Sequence, residues 1–284
     1  MYREERLNSI ITWAEDNPDI RAALLTSSLV NPLAPVDEHS DLDIELVFTD
    51  RVKYASNDTW LYNFGVPIAI FEEADAVVGK TYFVKMVLFE DRGKVDFILH
   101  DVPGFEAKVR QSELPVHWDI GYKVFVDKDG LTKDLKPPTY QASIIKKPSR
   151  EQFEKLLFDF WWDTTYVAKC LTRDEIFYAK YMSETINRTN YLVPLIEWWI
   201  ASQHDWAITT NKHGRLFKKY LPEGLWTRVE RTFSAADMKG NMDALQAMMD
   251  LVHEIGEDLA KELGYAYPFE LEKRIREYVG EKGR

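Results

Sequence analysis

A single cysteine, Cys170, rules out an internal disulfide and any cysteine-based zinc site, and its helical apolar context suits simple packing. The six histidines are scattered. There is no H-E-x-x-H pair, no G-x-x-x-x-G-K-S/T loop, no G-x-S-x-G elbow and no dinucleotide fingerprint. Long hydrophobic runs are missing too. The longest apolar stretch, Tyr191 to Ala201, is interrupted by Pro194 and Glu197 and is too short to span a bilayer. The start, Met1-Tyr2-Arg3-Glu4-Glu5-Arg6, leads into an amphipathic pattern rather than a secretory signal. Positive charge is scarce, with a formal net charge of −11, which argues against a nucleic-acid partner, since such affinity rests on Lys and Arg. The expectation is a soluble, cytoplasmic monomer with no membrane contact, whose acidic surface suits a cationic small substrate.

What remains is ample for folding. The 284 residues are 45% hydrophobic and 13% aromatic, with nine Trp, enough to bury a core and to form two domains of ordinary size. Leu7, Ile10, Ile11 and Ala14 share a helical face that Asn17-Pro18 ends. Strands are expected at 21–25, 41–48, 68–70, 82–89, 94–99 and 122–126, and a helix near 103–111. Between Thr132 and Arg150, Lys136-Pro137-Pro138 and Lys146-Lys147-Pro148 bracket a segment of little periodicity. Ser149 and Gln152 then form a capping-box signature, after which helical spacing continues almost to the end. The expected class is α+β: a mixed sheet with flanking helices over 1–135, a linker over 136–148, and a helical domain over 149–284.

The chain is organised around His39-Ser40-Asp41-Leu42-Asp43-Ile44-Glu45-Leu46-Val47-Phe48. As a strand it sends Leu42, Ile44, Leu46 and Phe48 to one face and Asp41, Asp43, Glu45 and Val47 to the other. Asp is a poor strand former, so such a face is either a solvated sheet edge or a place where carboxylates are wanted. Asp41 and Asp43 at i and i+2 can share a hard cation. Further on, Glu90-Asp91-Arg92-Gly93 reads as the turn of a hairpin whose second strand, Lys94-Val95-Asp96-Phe97-Ile98-Leu99, carries one carboxylate among apolar neighbours. Burying Asp96 alone is costly, so it needs either a metal or a positive partner, Lys85 or Lys94. Two strand-borne Asp, a hydroxyl-rich loop at Thr26-Ser27-Ser28 and a third carboxylate are what metal-dependent nucleotidyl transfer requires. In that chemistry Mg²⁺ neutralises the phosphates and the third carboxylate orients or deprotonates an acceptor hydroxyl.

These residues also carry a family resemblance, through Val30-Asn31-Pro32, Asp41-Leu42-Asp43-Ile44, Val95-Asp96-Phe97, Lys146-Lys147-Pro148, Phe160-Trp161-Trp162, Thr165-Tyr166-Val167-Ala168-Lys169, Leu195-Ile196-Glu197-Trp198 and Phe217-Lys218-Lys219-Tyr220-Leu221. Across nearly its whole length the chain resembles the aminoglycoside adenylyltransferases that modify streptomycin, members of the nucleotidyltransferase superfamily. The resemblance implies ATP and Mg²⁺ as co-substrates, AMP transfer to a drug hydroxyl, and pyrophosphate release.

On that basis Asp41 and Asp43 are the expected metal ligands, Asp96 completes the catalytic set, and Ser28 contacts phosphate. Lys169 and Lys212 are candidates for the nucleotide, the alternative being solvated helix and loop lysines. Glu197, Trp162 and Tyr166 are candidates for the cationic acceptor, with an internal ion pair as the alternative for Glu197 and core packing for the Trp. The loop departs from the family's Gly-Ser-Arg: Ser27 stands at the Gly position and Leu29 at the Arg position. Two other readings therefore stand beside drug adenylylation: transfer to another hydroxylated acceptor, or a catalytically weak protein that binds a nucleotide or a cationic ligand.

Overall fold

The computed structural model describes residues 3–77 and 80–282. The chain divides into two compact units, Met1–Ser143 and Ile144–Arg284. The first unit is built on six strands, β1 (Ile20–Thr26), β2 (Leu42–Phe48), β3 (Pro67–Val77), β4 (Lys80–Phe89), β5 (Lys94–Asp101) and β6 (Tyr122–Asp127), in the order β3-β4-β5-β2-β1-β6. All neighbours are antiparallel except β2 and β5, which run parallel. The acidic strand β2 is therefore central, not a solvated edge.

The period-2 alternation of β2 sorts its residues between two layers. Leu42, Ile44, Leu46 and Phe48 enter a core with Ile10 and Ala14 of helix α1 (Arg3–Asp16), Leu61, Phe64 and Phe97. Trp13 of α1 stacks on Trp60 at 5.3 Å in the same layer. Opposite, Val47 joins Ala22, Leu24, Trp118 and the residues Phe105 and Val109 of helix α2 (Val102–Val109). Glu45 lies in that second layer, fully buried. Its Oε1 accepts from the Trp118 indole at 2.9 Å, and its Oε2 lies 2.7 Å from His100 Nε2. Burial pushes its pKa up, but the His100 hydrogen bond, the charges of His100 and His117, and the indole outweigh this and hold it below the ordinary value. The charge is tolerable because both oxygens are bonded.

Residues 136–143, expected within a linker, are bound to the first unit. The Asp119 carboxylate accepts from the backbone N–H groups of Thr139 (2.8 Å) and Ala142 (2.9 Å), and the Tyr122 hydroxyl donates to the Lys136 carbonyl (2.7 Å). The boundary falls after Ser143.

The second unit is helical: α3 (Arg150–Thr172), α4 (Ile176–Lys180), a π-helical stretch Tyr181–Leu192, α5 (Val193–Ser202), α6 (Glu223–Arg231), α7 (Met238–Leu263) and α8 (Phe269–Lys282). The capping box is present in both halves, the Ser149 hydroxyl accepting from Gln152 N–H and the Gln152 side chain accepting from Ser149 N–H. Helix α3 ends where Asp174 turns to φ 58°. Phe153, Leu157, Phe160, Trp161 and Leu171 of α3 pack with Leu195 and Ile196 of α5 and Met248, Val252 and Ile255 of α7. No described helix is long and apolar enough to cross a membrane.

The Glu45 network is a structural keystone of β2. Glu45→Gln removes the charge but not the volume and leaves His100 with a poorer partner. We expect a loss of about 3 kcal/mol in urea unfolding at neutral pH. A loss below about 1 kcal/mol would mean that the buried charge contributes little to the native state.

Candidate active site

The parallel pairing of β2 and β5 sets Asp43 directly opposite Asp96, and the antiparallel pairing of β1 and β2 sets Thr26 opposite Asp43. Asp41 immediately precedes β2, and Lys94 is the first residue of β5. The start of β5 is fixed from below. Arg6 is buried and donates to the Phe64 carbonyl at 3.1 Å and to both oxygens of Asp91 at 2.7 and 2.6 Å. A Cβ at Gly93 would lie 1.7 Å from Arg6 Nη1, so this turn accepts no larger residue without displacing the guanidinium. The segment before Asp41 is held by Arg3, whose Nη1 donates to the Asp37 carbonyl at 2.6 Å and the Ser40 carbonyl at 3.2 Å.

The carboxylates are crowded. Burial, then the charges of Asp96 and Asp41, push Asp43 from the ordinary 3.8 up to about 6, against the opposing pull of the Ser27 hydroxyl and Lys94. The Lys94 ammonium lies 3.2 Å from Asp41 Oδ2 and 2.9 and 3.0 Å from the two oxygens of Asp96. Partial burial disfavours its charge, but the hydrogen bonds and charges of Asp96 and Asp41 prevail and raise its pKa. The approach to Asp96 Oδ1 is a charge contact without hydrogen-bond alignment, so that buried oxygen keeps an unused lone pair. Beside this cluster a cavity of about 370 Å³ is lined by Arg3, His39, Asp41, Arg92 and Lys94 among others.

The donor set fits a hard divalent cation in one specific way. Oxygen ligands are present and the local negative charge is under-compensated. Yet among the described residues no group of three His, Cys, Asp or Glu is arranged to hold a metal ion. The site thus suits Mg²⁺ bound through one or two carboxylates with the rest of its shell supplied by phosphates and water, and does not form an all-protein cage.

The loop after β1 explains its own sequence. Ser27 sits at φ 67°, a left-handed conformation that costs a non-glycine residue roughly 1 kcal/mol. Its hydroxyl opposes the rise of the Asp43 pKa, which a glycine could not do. Ser28 follows in the short turn Ser27–Val30, and its carbonyl accepts from Asn31 N–H at 3.3 Å. Leu29 packs against the same core as Leu42 and Ile44, so the loop contributes no cation.

In the second unit, Trp161 is buried while its neighbour Trp162 is 53% exposed. Tyr166 lies one turn further along α3, with the Lys169 ammonium 4.4 Å above its ring. Glu197 of α5 accepts from the Thr210 hydroxyl at 3.1 Å; burial raises its pKa, opposed by that bond and by His213. Thr210 begins the segment bearing Lys212, where Asn211 (φ 59°) and His213 (φ 54°) are both left-handed. Tyr166 is thus joined to Lys169, and Glu197 to the Lys212 segment. Among the described residues no side-chain hydrogen bond, ion pair or ring contact is found between Trp162 and these groups. Lys85, one of the two cations considered for Asp96, instead pairs with Asp58 and Glu72. Lys94, the other cation considered for Asp96, is its partner, as its i−2 position on the same strand face allows; its second contact, with Asp41, and any role for the Ser27 hydroxyl were not read from the sequence.

Asp43 and Asp96 lie on the paired central strands, with Asp41 just before β2, and a helical unit follows, in a chain whose family is one of nucleotidyltransferases. The chain belongs to the streptomycin adenylyltransferase family, which it matches over residues 1–281. An aminoglycoside 6-adenylyltransferase of Campylobacter jejuni is 28% identical over 280 residues, covering 97% of this chain and 94% of that protein. One from Bacillus subtilis (strain 168) is 29% identical over 269 residues, covering 93% and 92%. The crystal structure of an aminoglycoside 6-adenyltransferase from Bacillus subtilis aligns with a TM-score of 0.48 at 25% identity, over 98% of this chain and 97% of that one.

Because Asp43 binds its proton more tightly when folded than when unfolded, it stabilises the chelated protein fully below pH 3.8, and that contribution is lost as pH rises through about 6. The shift between 3.8 and about 6 corresponds to at most about 3 kcal/mol. Asp43→Asn should remove this slope and make the metal-free protein more stable than the parent above pH 6, read by urea unfolding in chelator between pH 4 and 8. An unchanged slope would assign the pH dependence to other groups.

Proposed function

We propose that the protein transfers AMP from ATP to a hydroxyl of an aminoglycoside such as streptomycin, with Mg²⁺, releasing pyrophosphate. The observation that carries this reading is the register that opposes Asp43 to Asp96 with Asp41 beside them, in a chain of this family. A bound Mg²⁺ would neutralise the transferring phosphoryl and leaving pyrophosphate. Asp41 and Asp43 would hold it. Asp96 would orient the acceptor hydroxyl and take its proton, a role suited to its Oδ1, which accepts no hydrogen bond. Ser28 is assigned to phosphate, and the cavity at Asp41 and Lys94 offers room for part of the nucleotide.

We assign Lys169 and Lys212 to the nucleotide, and Glu197, Trp162 and Tyr166 to the acceptor. An aromatic face and a half-buried carboxylate are the groups that recognise a polycation, by cation–π contact and by charge. The relatives named above are aminoglycoside enzymes, which supports that acceptor class.

The test is pyrophosphate release with ATP, Mg²⁺ and streptomycin, beside an Asp41→Asn/Asp43→Asn control. We expect drug-dependent release that falls below about one hundredth in the control, since outer-shell partners of a metal alone cost up to about a hundredfold. No release while ATP still binds, measured by calorimetry, would move the activity to another hydroxylated acceptor. Loss of both would favour a weak binding protein, as Ser27 and the core-packed Leu29 in the loop suggest.

A further inference from the structure

Lys94 is bonded to two carboxylates of the site at once, and nothing in the reaction outlined above uses it. Its side chain and that of Asp41 are little more than one-third exposed, at 36% and 40%, and that of Asp96 is 20% exposed. An ammonium there neutralises part of the repulsion among Asp41, Asp43 and Asp96 in the protein without ligands. The same oxygens are those a divalent cation would need. Asp41 Oδ2 cannot accept a hydrogen bond from Lys94 and coordinate a metal along the same direction, and two cations a few ångströms apart repel. The lysine stem is long and flexible, while its backbone is fixed by the Arg6–Asp91 turn. The head can therefore move while its anchor stays.

We propose that Lys94 is a positioning residue that acts as a built-in counter-cation: it bridges Asp41 and Asp96 in the ligand-free protein and must withdraw from Asp41 before a divalent cation binds. The proposal rests on the reading of Asp41 and Asp43 as metal ligands. It carries a consequence for order. Metal alone competes with Lys94 and binds weakly, whereas metal arriving with phosphate brings an anion that the displaced ammonium can meet.

The experiment uses the full chain, Mn²⁺ as the probe and no nucleotide, so that affinity is read independently of activity. Lys94→Met and the more polar Lys94→Gln are compared with Lys94→Arg, which keeps the charge. Both neutral variants should bind Mn²⁺ about tenfold more tightly or better, by calorimetry and by the paramagnetic signal of free Mn²⁺. They should also melt at lower temperature than the parent in chelator, with the gap narrowing at saturating Mn²⁺. Lys94→Arg should retain the parent's affinity. Equal or weaker Mn²⁺ binding by the neutral variants, with binding still abolished by Asp41→Asn, would overturn the proposal and leave the metal site standing. If the parent and the neutral variants alike bind no Mn²⁺, the assignment of the carboxylates to a metal fails, and the proposal with it.

Discussion

The parallel pairing of β2 with β5 is the constraint on which the site depends. Among the described residues it is the one parallel pairing in an otherwise antiparallel sheet, and its register sets Asp43 against Asp96. Carboxylates placed there repel each other, and the fold answers with several devices. Lys94 supplies a positive charge from the same strand as Asp96, and Ser27 supplies a hydroxyl at the cost of a left-handed backbone. Further along the same face, Glu45 is buried safely because His100 and Trp118 occupy its oxygens. One face of one strand thus runs from an end where negative charge is left under-compensated to an end where it is satisfied.

The helical unit offers complementary chemistry. Lys169 over Tyr166, the exposed Trp162, and Glu197 tied to the Lys212 segment are groups suited to phosphate, to apolar rings and to cations. The left-handed Asn211 and His213 show that the segment beyond Thr210 is held in a costly conformation, which in a binding protein is the kind of place where strain is retained for positioning.

Local signals made much of this legible. Strict alternation along 41–48 identified both faces of β2, the Glu90–Gly93 turn identified the hairpin carrying Asp96, and Ser149 with Gln152 marked the start of α3, because each is decided by residues close in sequence. What was hidden depends on distant contacts. Nothing local says that β2 lies inside the sheet or that it pairs with β5 rather than β3. The proline-rich segment at 136–143 looks like a linker until Asp119 is seen to bind its backbone. The π-helical stretch Tyr181–Leu192 is set by i→i+5 backbone bonding, which the pattern of apolar residues does not specify. Lys94 was legible as a partner of Asp96, but its second contact, with Asp41, depends on the pairing of β5 with β2. The nearness of the Ser27 hydroxyl to Asp43 likewise depends on the pairing of β1 with β2.

The central claim is that the Asp41–Asp43 end of β2 is a cation site completed by phosphate. It is tested most directly by a crystal structure with Mn²⁺ and a non-hydrolysable ATP analogue, using the anomalous signal of the metal. The account predicts a peak bonded to carboxylate oxygens of Asp41 and Asp43 and to phosphate oxygens, with Lys94 no longer on Asp41. A peak elsewhere, or a nucleotide bound while Lys94 still bridges Asp41 and Asp96, would contradict it.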